Sequence, residues 1–125
     1  MLRYDSPVQT LMRFATCDAD VGGTKVNKGM LVAILFGAAN RDPAQFPEPD
    51  KFDVARTPND HVAFGEGIHF CIGAPLARLE ARVAFEAVVE RFSAIAFAEP
   101  DAPLAYRGSM ITRGLRQLPL TMSRV

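Results

Sequence analysis

Residues Phe64 to Gly73 read FGEGIHFCIG and place one cysteine, Cys71, among Gly65, Gly67 and Gly73, just ahead of a helix pattern that opens at about Pro75. That arrangement suits a metal-bound thiolate. The thiolate is the form of cysteine that ligates metal, and amide N–H groups and the positive end of a helix dipole stabilise its charge. The glycines let the backbone fold tightly around sulfur and approach a flat ligand closely. His69, two residues before Cys71, is placed to donate a hydrogen bond to an anionic group at the edge of such a ligand.

Downstream, PLARLEARVAFEAVVERF (75–92) is the clearest helix in the chain. Proline is at home in a first helical turn, and Arg78, Arg82, Glu86 and Glu90 make a charged stripe at a spacing of four, read as its solvated face. Leu76, Leu79, Val83, Ala87, Val88 and Phe92 spread apolar surface around much of the remaining circumference. A helix of this kind calls for packing on more than one side. After it, Ala94 to Phe97 reads as a strand, and Tyr106 to Met122 as a hairpin turning near Gly108 and Gly114, with Leu118 to Met122 returning.

Upstream, Arg41 to Ala63 carries Pro43, Pro47, Pro49 and Pro58 among many charges, which supports neither a helix nor a central strand. An irregular stretch of this length inside a compact domain is commonly functional or disordered. Earlier still, Met1 to Tyr4 reads as the end of a helix, because Pro7 forbids its continuation. Val8 to Thr16 reads as a strand, Gly22-Gly23 as a turn, and Thr24 to Val26 as a short returning strand. Met30 to Phe36 (MLVAILF) is a continuous apolar run, consistent with a buried strand or with the start of a helix. The fold class of the stretch is α+β: β hairpins, a meandering loop, a ligand loop and one long helix.

Composition narrows the functions available. With 49% hydrophobic and 22% charged residues the 125-residue chain has enough apolar material for a core, and it has the size of one domain. Fourteen basic against fourteen acidic residues give a formal net charge of +0, which offers no broad field for nucleic acid or an anionic membrane. The longest uncharged stretch, Gly29 to Asn40, is shorter than the roughly 18–20 apolar residues that cross a bilayer. Asp5 and Pro7 stand where a signal peptide would have its apolar run, so the expectation is a cytoplasmic protein. Two cysteines, Cys17 and Cys71, define no disulfide framework.

Phe64, Gly67, His69, Cys71 and Gly73 match F-x-x-G-x-[R/H]-x-C-x-G at every fixed position, and this segment resembles the haem-binding signature of the cytochrome P450 family. APLARLEAR (74–82) resembles the helix that follows the haem ligand in bacterial members, and ANRDPAQFPEPDKFD (39–53) resembles the region leading into it. The resemblance spans essentially the whole chain. It implies the C-terminal portion of a fold that is mainly α when entire, with residues 1–125 as one partial domain.

It also implies haem b, with Cys71 as the proximal iron ligand, Phe64 packed near its sulfur, Gly65, Gly67 and Gly73 shaping the loop, and His69 and Arg13 on haem propionates. No catalytic residue beyond the haem ligand is implied within these residues. The segments Val8 to Leu11 and Ser109 to Ile111 resemble borders of the substrate pocket, where Val8, Met110 and Ile111 make the rim apolar and suit a small hydrophobic organic substrate. The activity implied is monooxygenation, with electrons from a ferredoxin-type donor. Arg3 takes the arginine position of the family's E-x-x-R motif, whose glutamate position falls one residue before Met1; Lys51 is the basic residue expected to join Arg3. The family's distal helix lies upstream, so these residues by themselves are expected to be of low stability and not a competent monooxygenase.

Plainer readings stand beside these. Cys71 taken alone would read as an inert buried thiol, and Cys17, with no motif around it, reads as a structural or incidental one. A zinc site from Cys17, Cys71, His61 and His69 has no C-x-x-C or H-x-x-x-H spacing behind it. Arg13 alone reads as a charge reaching for solvent, and His69 as a cap on the following turn. Arg78 and Arg82 are read as solvated charges, with a docking site for an acidic electron-transfer protein as the alternative. A stand-alone haem-binding or electron-transfer module and an inactive remnant are the other readings of the whole.

Overall fold

Val21 and Thr24 pair across Gly22-Gly23, whose φ angles of 58° and 81° are those of a two-residue hairpin turn that only glycine adopts freely. The Asp20 carboxylate accepts the Gly23 amide at 2.9 Å and pins the turn. This hairpin joins β2 (Ala19–Val21) to β3 (Thr24–Val26). It sits between β1 (Thr10–Phe14) and β4 (Leu31–Leu35), which pair antiparallel from Thr10 opposite Leu35 to Phe14 opposite Leu31. The structure, a computed structural model, describes residues 1–125.

After β4 the chain makes one short helix, α1 (Phe36–Ala39), so the apolar run 30–36 is both a strand and a helix start. Its expected burial is not found, since Leu31, Ile34 and Leu35 are exposed. A two-stranded sheet has no second layer of its own to cover them. The expected helix end at Met1–Tyr4 is one hydrogen-bonded turn, with the Asp5 amide on the Met1 carbonyl at 3.1 Å. Residues 41–63 contain no helix or strand, as their prolines dictate.

The second half is built on α2 (Ala74–Arg91), which has Pro75 in its first turn and leads directly into β5 (Phe92–Phe97). β6 (Leu120–Arg124) pairs with β5, placing Met122 opposite Ile95 and Leu120 opposite Phe97. The expected hairpin within 106–122 is therefore corrected. Tyr106 and Leu115 form only an isolated bridge, and the returning strand finds its partner far back in the chain at β5. Cross-strand apolar pairs decide that choice, and local turn signals do not report them.

The chain forms two compact units, residues 1–63 with 108–113, and residues 64–107 with 114–125. The first has the tighter interior, where Phe46 is buried together with the polar groups Arg3, Ser6, Thr10 and Asn40. In the second, Ala74 is the only buried residue. Of the apolar residues read from the helix pattern, Leu76, Leu79 and Val83 are more than half exposed, while Ala87, Val88 and Phe92 are half-buried; Phe85 and Val89 are more than half exposed as well.

Candidate functional site

The ligand loop is closed by its own backbone. The Cys71 amide donates to the Phe64 carbonyl at 2.9 Å, bringing the two ends of the motif together, and the intervening residues coil into a single 3-10 turn, Gly67–His69, capped by the Phe70 amide on the Gly67 carbonyl. Gly65 and Gly67 have φ of 73° and 65°, where a side chain would be strained. These two glycines are thus required by the backbone. Gly73 differs: it has φ of −83° and caps α2, and a Cβ there would lie 3.7 Å from the Cys71 sulfur.

Cys71 is exposed and ends the loop just before α2, with the Ala74 amide on its carbonyl at 3.1 Å. Ile72 and Gly73 donate no backbone hydrogen bond within the chain. Such unspent donors at a helix start favour an anion, and the residue beside them is the one whose thiolate would carry the charge. Around it Ile68 and Ile72 are 97% and 100% exposed and Phe70 is half exposed. Amide donors beside the sulfur and a bare apolar surround fit a haem held by a thiolate.

Phe64 is half-buried and is held on both sides. Its ring meets Phe70 edge-on with centroids 6.4 Å apart, and the Arg78 guanidinium lies 4.7 Å from its centroid. Arg78 is exposed, as its place in a solvated stripe predicts, and makes this ring contact in addition. His69 is exposed and closes the 3-10 turn. Arg13 is exposed on β1 opposite Val32 and donates to the Met12 carbonyl at 2.9 Å. No group of three or more His, Cys, Asp or Glu side chains comes together to hold a metal.

The two rim segments are joined. Val8 bridges Thr112, the Gln9 amide donates to the Ile111 carbonyl at 2.7 Å, and the Arg113 amide donates to the Pro7 carbonyl at 2.8 Å. An Arg113–Asp5 ion pair at 2.7 Å closes the end of this ladder. Ser109 Oγ accepts the amides of Ile111 and Thr112 at 3.2 and 3.1 Å and shapes the turn that carries Met110, which is 80% exposed. Val8 and Ile111 thus lie on one short backbone ladder, with Met110 on the turn beside it.

Arg3 is buried at 4% exposure and donates to the carbonyls of Asn40, Pro49 and Lys51 at 2.8, 3.0 and 3.4 Å, with its guanidinium 5.0 Å from the Phe46 ring centroid. Lys51 offers Arg3 its carbonyl, while its ammonium faces Glu48 at 3.6 Å. The basic group that acts on Arg3 is instead Arg56. Burial, first, and then the charges of Arg56 and Arg41 lower the Arg3 pKa. Arg56 spends its terminal nitrogens on the Pro47 and Glu48 carbonyls, and its buried Nε has no partner. Composition could not separate Lys51 from Arg56; only the fold tells which cation faces inward.

The sequence model described as Cytochrome P450 matches residues 1–120. The chain is 43% identical over 122 residues to 6-deoxyerythronolide B hydroxylase of Saccharopolyspora erythraea, covering 98% of this chain and 30% of that protein. Among solved structures, P450BioI in complex with acyl carrier protein ligated to hexadec-9Z-enoic acid superposes with a TM-score of 0.92 at 43% identity, over 98% of this chain and 31% of that one. CYP109E1 from Bacillus megaterium in complex with testosterone gives 0.91 at 40%, over 99% and 34%. The chain thus spans about a third of the length of the relatives it matches. No helix is long and apolar enough to cross a membrane. A loop that closes on Cys71 at the head of α2, in a sequence and a fold that match this one family from end to end, makes the chain a member of the cytochrome P450 family.

Proposed function

We propose that the chain is the haem-thiolate portion of a P450 monooxygenase, with Cys71 as the proximal iron ligand. The observation that carries this reading is the backbone closure from the Cys71 amide to the Phe64 carbonyl, which leaves the sulfur exposed beside the unspent amides of Ile72 and Gly73. When bound, the haem would supply the oxygen chemistry, with one oxygen atom of dioxygen inserted into an organic substrate. The chain's own residues do the holding. Gly65 and Gly67 set the turn, Gly73 leaves room beside the sulfur, and Phe64 offers the carbonyl that receives the Cys71 amide. His69 and Arg13 are the donors for the propionates, each being exposed and carrying ring or guanidinium N–H groups.

Val8, Met110 and Ile111 form an apolar stretch of pocket rim. They favour a small hydrophobic organic substrate, and the steroid held by the CYP109E1 relative is of that kind. Electrons would come from a ferredoxin-type donor in the cytoplasm. Residues 1–125 form part of one haem-binding domain on this reading.

The deciding experiment is the absorption spectrum of the chain reconstituted with haem, reduced and exposed to carbon monoxide, with Cys71→Ala alongside. A strongly red-shifted Soret band that the substitution abolishes is expected. A band that survives Cys71→Ala would remove the cysteine from the iron and the proposal with it.

A further inference from the structure

Arg78 opens the charged stripe of α2, and a merely solvated arginine would sit in water or pair along its own helix. It pairs with nothing there. The residue at i+4 is Arg82, a like charge, and the Arg78 side chain takes part in no salt bridge and no hydrogen bond. Its guanidinium is instead 4.7 Å from the Phe64 ring centroid, within the range of a cation–π interaction. The main chain of Phe64 supplies the carbonyl that receives the Cys71 amide at 2.9 Å. With Phe70 against its edge at 6.4 Å, the ring is held from two directions, one from within the loop and one from the first turns of α2.

We infer that Arg78 is a positioning residue for the thiolate: by stacking on Phe64 it fixes the carbonyl that anchors the Cys71 backbone, and so ties the ligand loop to the helix that follows it. This rests on the reading of Cys71 as the ligand, but its geometric content stands without any cofactor. The loop closes on itself through one backbone bond, its apolar side chains Ile68 and Ile72 are exposed, and Arg78 is a tether reaching it from α2. Losing the tether should let the Cys71 amide part from Phe64 more often, while the rest of the unit is unchanged.

The test is amide hydrogen exchange at Cys71, followed by NMR in the full 125-residue chain without haem. Arg78→Ala is expected to speed that exchange about two- to fivefold, the factor that an exposed cation–π contact contributes. Arg78→Gln, which keeps a long polar side chain but no charge, is expected to do the same. In a Phe64→Leu background the effect of Arg78→Ala should vanish, because the ring it acts through is gone. Amides of Ile95 and Ala96 in β5 serve as the control and should not change.

Unchanged exchange in Arg78→Ala, wild-type exchange in Arg78→Gln, an equal effect in the Phe64→Leu background, or a matching rise in β5 would each overturn the inference. The carbon monoxide spectrum reports separately on the ligand. A normal exchange pattern with no thiolate band counts against the cofactor reading, and altered exchange with the band intact counts for Arg78.

Discussion

Asn40 receives the Val62 amide on its side-chain oxygen at 2.8 Å while its amide group donates to Ser6 Oγ at 2.7 Å. Asn40 is 0% exposed and Ser6 is 1% exposed, so neither group has water to fall back on. The Asn40 main chain is engaged as well, its carbonyl taking Arg3 Nη1 at 2.8 Å, and Ser6 passes its own proton to the Leu2 carbonyl at 2.9 Å. One side chain therefore ties together stretches 22 and 34 residues away, one of them two residues ahead of Phe64.

Asn40→Ala is expected to destabilise the chain by about 2–4 kcal/mol, since it leaves the part-buried Val62 amide without its acceptor and the buried Ser6 oxygen without its donor, and opens a small void. Urea unfolding followed by circular dichroism measures it. A loss under about 0.5 kcal/mol would mean that the network re-forms around the gap.

Arg3 gives a statement about pH. Burial and the neighbouring Arg56 and Arg41 lower its pKa in the folded state below the unfolded value, so the folded chain holds this proton less tightly. The resulting cost is constant wherever both states are protonated, and it is relieved only as pH rises past the folded pKa, far above neutrality. Arg3→Met is therefore expected to change stability without changing its slope between about pH 6 and pH 9. Parallel stability curves for the two proteins across that range are the expected result, and a slope that differs would place a neutral-range titration at Arg3.

How much of this was legible beforehand differs from residue to residue. Cys71, Gly67 and Gly73 could be read because their chemistry is local: a turn, a sulfur and a helix start within a few residues. The helix over Ala74–Arg91 was readable from its proline and its stripe. Arg56 was not readable, because its role depends on which of several loop cations turns inward on Arg3. The pairing of β6 with β5 was hidden for a like reason, being set by Ile95 against Met122 rather than by any turn. Arg78 was assigned to water on a sound rule about helix charges and is exposed, but its contact with the Phe64 ring joins residues 14 positions apart and shows only in three dimensions.

The glycines of the loop should separate cleanly. Gly67→Ala puts a side chain at φ of 65° in open space, so the cost is conformational, about 1 kcal/mol of stability. Gly73→Ala has an ordinary helical φ and meets the Cys71 sulfur at 3.7 Å, so it should leave stability nearly unchanged or improve it slightly, yet shield the thiol. Denaturation midpoints and the rate of iodoacetamide alkylation at Cys71 are the two measurements. Slower alkylation in Gly73→Ala with an unchanged midpoint is expected, and equal rates would show that the sulfur leaves the protein on a side that Gly73 does not border.

The exposed apolar residues of α2 lead to the last expectation. Leu79 and Val89 are 54% and 72% exposed, so in this chain they contribute little burial that a polar residue could remove. A core position loses roughly 2–5 kcal/mol when a large aliphatic side chain is cut back, whereas a surface position usually changes by less than about 0.5 kcal/mol. Leu79→Lys and Val89→Lys should accordingly fall in the second class while reducing the exposed apolar area on two sides of α2, beside Leu76 and Val83 on one and Phe85 on the other. Greater solubility by light scattering, with a urea midpoint close to that of the parent, is the expected pair of results. A large drop in the midpoint would show instead that these residues are covered in solution by contacts that the structure of the single chain does not contain.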